Sequence, residues 1–431
     1  MKGLEAARSL PYNRGVSRPP SSRPHPTPAI PSSAPEPLAT AGGAPVRATY
    51  LPLAAPWIGE REKQLVMETL ESGWITTGPK AQEFARRIAD LAGARHGVAV
   101  NSATGALHVA LAALGIQPGD EVITSAYTFV ACVNVIEHVG AVPVLVDVEP
   151  DTLCIDPLAI ERALTPRTRA IMPVDYAGHP CELDRIMGLA AGRGIPVVED
   201  AAHALGAMDR GRPIGSIATV TAFSFYATKN LTMGEGGAAV TNDAALAERM
   251  SLLSLHGMNR DAWKRYTDTG SWYYEVVAPG FKYNLSDVLA TIGLAQLERF
   301  EGFQRRRAEL VARYHEGLAD LAEVRLPGTR PGVTHAWHLF PIALELERLT
   351  CDRARYVQEL RAENIGTSVH FIPIHYHPHF RESLPYHEGD FPVAEHAYWR
   401  AVTLPLFPRM SDRDVDDVCA AVRKVATHFR R

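Results

Sequence analysis

From about Tyr50 onward the chain alternates short β-rich apolar runs with stretches of helical period. The apolar runs are Gly97 to Val100, Glu121 to Thr124, Val142 to Val148, Ala170 to Val174, Pro196 to Val198 and Thr219 to Phe225. Helical stretches separate most of them: Ala106 to Leu114, Val130 to His138, Pro157 to Leu164 and Leu183 to Arg193. Two further helices, Gly59 to Gly73 and Lys80 to Ala92, precede this series, with the Gly/Pro-punctuated loop Gly73 to Pro79 between them. Strands alternating with helices predict a mostly parallel sheet covered on both faces. Ligands of such sheets sit at the carboxyl ends of the strands, so the polar residues after each run carry the functional information. Beyond Phe300 the alternation changes. A charged helix (Phe303 to Leu321), a strand within His335 to Leu346 and a helix from Asp352 to Asn364 come next. The last helix follows a capping-box pattern at Ser411 and Asp414 and has an apolar face of Val415, Val418, Val422 and Val425. The expected division is a tail over 1–46, a large α/β domain over 47–300 and a smaller α/β domain over 301–431.

The first 46 residues hold ten prolines among Ser, Arg and Gly, with almost no aliphatic pattern. Such a segment buries too little surface to offset its ordering entropy and is read as disordered. Its Arg and Ser content resembles a transit peptide, but the prolines oppose an amphipathic helix, and it has no apolar core for a secretory signal. The whole chain has 431 residues, 46% of them hydrophobic, and a formal net charge of -4. That balance argues against nucleic acid or an anionic membrane as the main partner, and no apolar run reaches a bilayer-spanning length. Five scattered cysteines (Cys132, Cys154, Cys181, Cys351 and Cys419) form no CxxC pair. They suit free thiols in a reducing, cytoplasmic compartment rather than disulfides or a metal site.

Candidate chemistry centres on FSFYATKNLTMGEGGAAVTND, Phe223 to Asp243. Here an apolar strand ends in small and polar residues, presents Lys229, and turns through Gly234, Gly236 and Gly237. Burial there would lower the lysine pKa and suit attack on a carbonyl; a surface lysine in a Gly-rich turn is the other reading. Upstream, Asn101-Ser102-Ala103-Thr104-Gly105 opens a helix with small and hydroxyl residues, either as an ordinary cap or as a phosphate cradle. Phe129, beyond the second strand, could stack on a planar ring or belong to the core. Glu199 and Asp200 follow a buried strand, where a carboxylate is costly unless paired. Asp200 could be a structural ion-pair partner, or could face a protonated pyridine nitrogen and keep that ring an electron sink.

A phosphate-suited helix start, an aromatic, a carboxylate after a strand and a lysine 29 residues beyond it form an ordered set. With GWITTGP, VAVNSATGALHVAL, GDEVITSAYTFVA, VDYAGHPCELD, VVEDAAHALGA, FKYNLSD and LPLFP, the chain from about Leu51 to Met410 resembles the DegT/StrS family of nucleotide-sugar aminotransferases. The resemblance implies an α/β, fold-type-I aminotransferase architecture and the cofactor pyridoxal 5'-phosphate, held as a Schiff base. By position it assigns the Schiff-base lysine to Lys229 and the pyridine-facing carboxylate to Asp200. It gives His203 the contact to the ring hydroxyl and Phe129 the stacking aromatic. Thr104, Gly105 and Ser224 fall at phosphate-binding positions. Asn284 lies in the segment that reaches the neighbouring subunit's phosphate, with Lys282 as the alternative. The implied substrates are glutamate and a nucleotide-linked keto-sugar, and the implied assembly is a homodimer with shared active sites. HGMNRDAW and VAPGFKYNLSD are similar to UDP-4-keto-pentose aminotransferases that make 4-amino-4-deoxy-arabinose, although perosamine-type synthases share much of this wording.

Other readings are a regulatory family member that binds cofactor or sugar without turnover, and a sugar dehydratase with the same cofactor. Dehydratase relatives carry histidine where Lys229 stands. Four histidines between His370 and His379 invite a metal reading, but prolines interrupt any strand there, and no carboxylate or thiol lies within the run. A substrate-facing loop and solvated side chains are the alternatives.

Overall fold

The computed structural model describes residues 36–259 and 273–431. Seven strands form the main sheet: β1 His96–Val100, β2 Glu121–Ser125, β3 Val142–Val146, β4 Thr168–Met172, β5 Val198–Asp200, β6 Val220–Ser224 and β7 Gly237–Thr241. Ladders order them β1-β7-β6-β5 and β4-β2-β3, and the parallel bridges Ile171–Val197 and Val174–Asp200 join β4 to β5. β2, β3 and β4 run parallel, as do β5 and β6, whereas β7 runs antiparallel to both β1 and β6. β2 and β7 are buried along their whole lengths, as a sheet covered on both faces requires.

The covering helices include α1 Glu60–Glu71, α2 Pro79–Leu91, α3 Ala103–Ala113, α4 Ala131–His138, α5 Pro157–Ala163, α6 Leu183–Ala191, α7 Ala244–Ser254 and α8 Asp287–Leu297. Local chemistry sets their starts. Asp156, Asp243 and Ser286 cap α5, α7 and α8 with their side chains. The start of α2 is capped from a distance: Asp287 accepts hydrogen bonds from the backbone N–H groups of Gly78, Lys80 and Ala81.

β7 is an addition to the expected pattern. Gly237 is the first residue of this strand, not the last of the turn. Its Gly-Ala-Ala composition, poor in strand formers, hides it from a propensity reading. Small residues are needed because α3 presses on the strand: a Cβ at Gly237 would lie 2.2 Å from the carbonyl carbon of Ser102.

α9 (Phe300–Leu318) leads to a second sheet of β8 Val324–Arg325, β9 Phe340–Leu344 and β10 Ala401–Leu404. α10 (Arg353–Ala362) and α13 (Asp412–Phe429) lie against this sheet's core; α11 (Pro378–Ser383) and α12 (Pro392–Arg400) lie between them in sequence. Ser411 and Asp414 form the expected capping box, and Val415, Val418, Val422 and Val425 are buried. α9 serves both cores, with Phe300 in the first and Leu310, Val311 and Tyr314 in the second.

The expected tail boundary at 46 needs correcting. Residues 1–35 lie outside the described residues, but 36–46 are packed onto the C-terminal core. Leu38 is buried there, the backbone N–H groups of Ala39 and Val46 donate to Glu363, and the Thr40 hydroxyl donates to Glu359.

Candidate active site

A cavity of about 430 Å³ opens at the carboxyl ends of the parallel strands. Lys229, Asp200, His203, Phe129, Ser224 and Thr104 all line it. Lys229 reaches it from the loop between β6 and β7, and Asp200 closes β5. His203 follows three residues later, Phe129 precedes α4, and Thr104 stands in the first turn of α3.

Two residues of the expected set do not line this cavity. Gly105 is buried behind the α3 start, its N–H donating to the Ser102 hydroxyl at 3.0 Å. Because that cap uses only one helix N–H, Ala103 and Thr104 in the wall remain the unpaired donors of the first turn. Asn284 is bridged to Val100, and its amide donates to the Thr77 hydroxyl at 2.5 Å. Of HGMNRDAW, Arg260 to Trp263 lie outside the described residues.

Lys229 keeps part of its surface open to the cavity but is densely surrounded. Desolvation lowers its pKa to about 8, against the smaller upward pull of the Asp200 charge. The Asp200 carboxylate is fixed from behind: Oδ1 accepts the Ala202 N–H at 3.0 Å, and Oδ2 accepts the Cys132 thiol at 2.9 Å. Phe129 is 57% exposed, leaving a ring face open, and sits 6.1 Å from Phe371. His203 stacks at 5.8 Å on Phe371, and its buried Nδ1 has no hydrogen-bond partner. Burial, and then the charge of Lys229, hold His203 well below the usual histidine pKa, so it is neutral.

Two more histidines complete the wall. His338 lies 4.5 Å from the His203 ring, with Nδ1 on the Asn230 side chain. His370 bonds the Thr403 hydroxyl through Nδ1, and burial followed by the Lys229 charge lowers its pKa to about 4. His338 was hidden in a segment read as a strand, and His370 in a run weighed for metal. The only sequence signal was their polarity among apolar neighbours.

The rest of the histidine run diverges instead of converging. His375 is in a 3-10 turn, Ile374–Tyr376, and bonds Glu395 on α12 at 2.9 Å. His379 bonds Glu137 on α4 at the same distance. Carboxylates do accompany these histidines, but they come from other elements. Among the described residues, no three or more His, Cys, Asp or Glu side chains are grouped to hold a metal ion.

Below the floor, Glu199 faces away from the cavity without a cation. Its Oε2 accepts the Thr221 hydroxyl, while Oε1, like Oδ2 of the buried Asp175, has no partner. A proton shared between these two carboxyls would pair both leftover atoms. Burial, with the neighbouring negative charge, raises both pKa values, that of Glu199 to about 7. Behind the wall, the buried guanidinium of Arg307 on α9 donates to the carbonyls of Trp337, His338 and Leu406, spanning two segments that line the cavity.

These features fit pyridoxal 5'-phosphate. A helix start offers N–H groups to a phosphate, an open aromatic face suits a planar ring, and a fixed carboxylate suits a ring N–H. The unpartnered Nδ1 of His203 suits a ring hydroxyl, and the amine of depressed pKa suits an aldehyde.

Comparison with known proteins agrees. Residues 56–423 match the DegT/DnrJ/EryC1/StrS aminotransferase family. The chain is 49% identical over 377 residues to the spore coat polysaccharide biosynthesis protein SpsC of Bacillus subtilis, covering 87% of this chain and 97% of SpsC. The putative sugar aminotransferase Spr1654 of Streptococcus pneumoniae, in its PMP form, superposes with a TM-score of 0.82 at 35% identity, covering 88% of this chain and 99% of that one; a PLP form is also solved. DesI, solved in the presence of its TDP-sugar product, superposes with a TM-score of 0.81 at 32% identity, covering 90% and 96%. The chain belongs to the DegT/DnrJ/EryC1/StrS aminotransferase family, has the fold-type-I architecture and uses pyridoxal 5'-phosphate as its cofactor.

Proposed function

We propose that the protein transfers an amino group from glutamate to a nucleotide-linked keto-sugar, with a 4-keto sugar as the acceptor, in the making of an amino-sugar polysaccharide or lipopolysaccharide. The observation that carries this reading is the juxtaposition, in one cavity, of the Lys229 amine, the Asp200 carboxylate and the neutral His203. When bound, the cofactor supplies an aldehyde that takes up an amine and a ring that accepts the electron pair left by a departing proton. Lys229 would hold the cofactor covalently, and its amine, when free, would take the proton from the substrate carbon and return it. A base held that close can be worth about 7–11 kcal/mol by proximity alone. Asp200 keeps a proton on the ring nitrogen, His203 meets the ring hydroxyl, and Phe129 covers the ring. Thr104 and Ser224 hold the phosphate, and Gly105 keeps the α3 start close-packed.

The relatives support the acceptor class: SpsC is named for polysaccharide biosynthesis, and DesI was solved with a TDP-sugar product. Lys229, rather than a histidine, favours transamination over dehydration, and the set of Lys229, Asp200 and Ser224 disfavours a purely regulatory role. A homodimer in which Asn284 serves the other subunit's phosphate is supported by the position of Asn284 away from its own cavity and by the exposed Val276 and Val277. Five free thiols suit work in the cytoplasm.

The test is mass spectrometry of products from glutamate and a panel of nucleotide-linked 4-keto and 3-keto sugars, UDP-4-keto-pentose among them. An amino-sugar product formed with loss of the donor's nitrogen is expected. Release of water with no nitrogen gained would identify a dehydratase, and no turnover with any member would leave a binding protein.

A further inference from the structure

Asp200 meets the cavity in one orientation because of what lies behind it. Cys132, in the first turn of α4, is completely buried, and its Sγ is 2.9 Å from Oδ2 of Asp200. The Thr128 hydroxyl lies 3.5 Å from the same sulfur, giving an unbroken buried chain from Thr128 through Cys132 to Asp200. The peptide N–H of Ala202 holds the other carboxylate oxygen. One oxygen is thus fixed by backbone and the other by this thiol.

We propose that Cys132 is a positioning residue: its thiol donates a hydrogen bond to Asp200 Oδ2 and fixes the rotation of the carboxylate that serves the cofactor's ring nitrogen. The inference rests on the role proposed above for Asp200. It also accounts for how α4 is used, since the short segment from Phe129 to Cys132 carries both the ring's aromatic cover and the support of its carboxylate; the Cys132 N–H donates to the Phe129 carbonyl. Burial and the adjacent Asp200 charge keep the thiol protonated, so it is available as a donor and closed to redox chemistry.

Packing and hydrogen bonding predict opposite rankings for two variants. Cys132→Ser keeps a donor but buries a more polar group, whereas Cys132→Ala is about as small, is apolar and has no donor. We expect Cys132→Ala to weaken pyridoxal phosphate binding to the full chain roughly five- to tenfold, as fits a weak thiol donor on a charged acceptor, and to move the pH midpoint of the bound cofactor's visible absorbance. Cys132→Ser should stay within about twofold of the parent in both readouts. Any other ranking overturns the proposal.

Asp200→Asn separates this inference from the reading beneath it. If that variant leaves affinity and absorbance unchanged, the role of Asp200 itself fails. If it weakens both while Cys132→Ala is silent, only the role of Cys132 fails. Should Cys132→Ala not fold, the infrared S–H band of the parent decides. A hydrogen-bonded thiol band that moves to the free-thiol position in Asp200→Ala supports the contact, and an unmoved band overturns it.

Discussion

Lys229 owes its lowered pKa to its surroundings. An ordinary lysine is charged up to a pKa of 10.5, but burial in the cavity wall brings this one down to about 8. The rate at which apo-protein takes up pyridoxal phosphate, followed by absorbance, should therefore rise with pH with its midpoint at about 8 and level off above that. Since the Asp200 charge raises this pKa, Asp200→Asn should move the plateau to lower pH. Glu199 gives a second pH signature, in stability. Its carboxyl holds a proton more tightly in the folded chain, up to about 7 from 4.5, so folding gains from that proton below pH 4.5 and loses the gain as pH rises to 7. Glu199→Gln should flatten this part of the stability profile by up to about 3 kcal/mol, read from denaturant melts at each pH. At this scale the sequence was most legible at the carboxyl ends of strands, where Asp200 and Ser224 close β5 and β6 and His203 and Phe129 follow a strand within four residues; all four line the cavity. His338, His370 and Cys132 were not legible, because their roles exist only once α4, the β6–β7 loop and the C-terminal segments meet around one cavity.

Among the elements, β7 and α3 depend on each other. The strand's glycine and alanines let the helix start come close enough for its free N–H groups to reach the cavity wall. Gly237→Ala puts a methyl carbon within 2.5 Å of three backbone atoms of Ser102 and Ala103, which no side-chain rotation relieves. It should lower stability by roughly 1–3 kcal/mol or more and weaken phosphate-dependent cofactor binding, measured by melting and by pyridoxal phosphate titration. Helices and β-branched strands were readable from period and composition. β7 was not, because the close approach that selects small residues also erases the strand signal.

In the whole molecule, residues near the N-terminus belong to the C-terminal core. A chain beginning at Glu36 should outmelt one beginning at Arg47 by about 2–3 kcal/mol. The shorter chain loses the burial of Leu38 and leaves Glu363 with Lys424 as its remaining partner outside its own helix. The large, mostly parallel sheet followed from the order of strands and helices, and the fold type from the resemblance to the aminotransferase family. The packed stretch 36–46 did not, because prolines and small residues look the same in a tail and in a strap laid on a finished surface. Arg307 has a consequence on this scale too. Its guanidinium ties the His338 and Leu406 carbonyls to one long helix, so those two segments of the cavity wall cannot part without stripping a buried cation of its partners. That part of the wall should thus keep one spacing, and a pair of spectroscopic labels placed on the two segments should report the same separation before, during and after turnover.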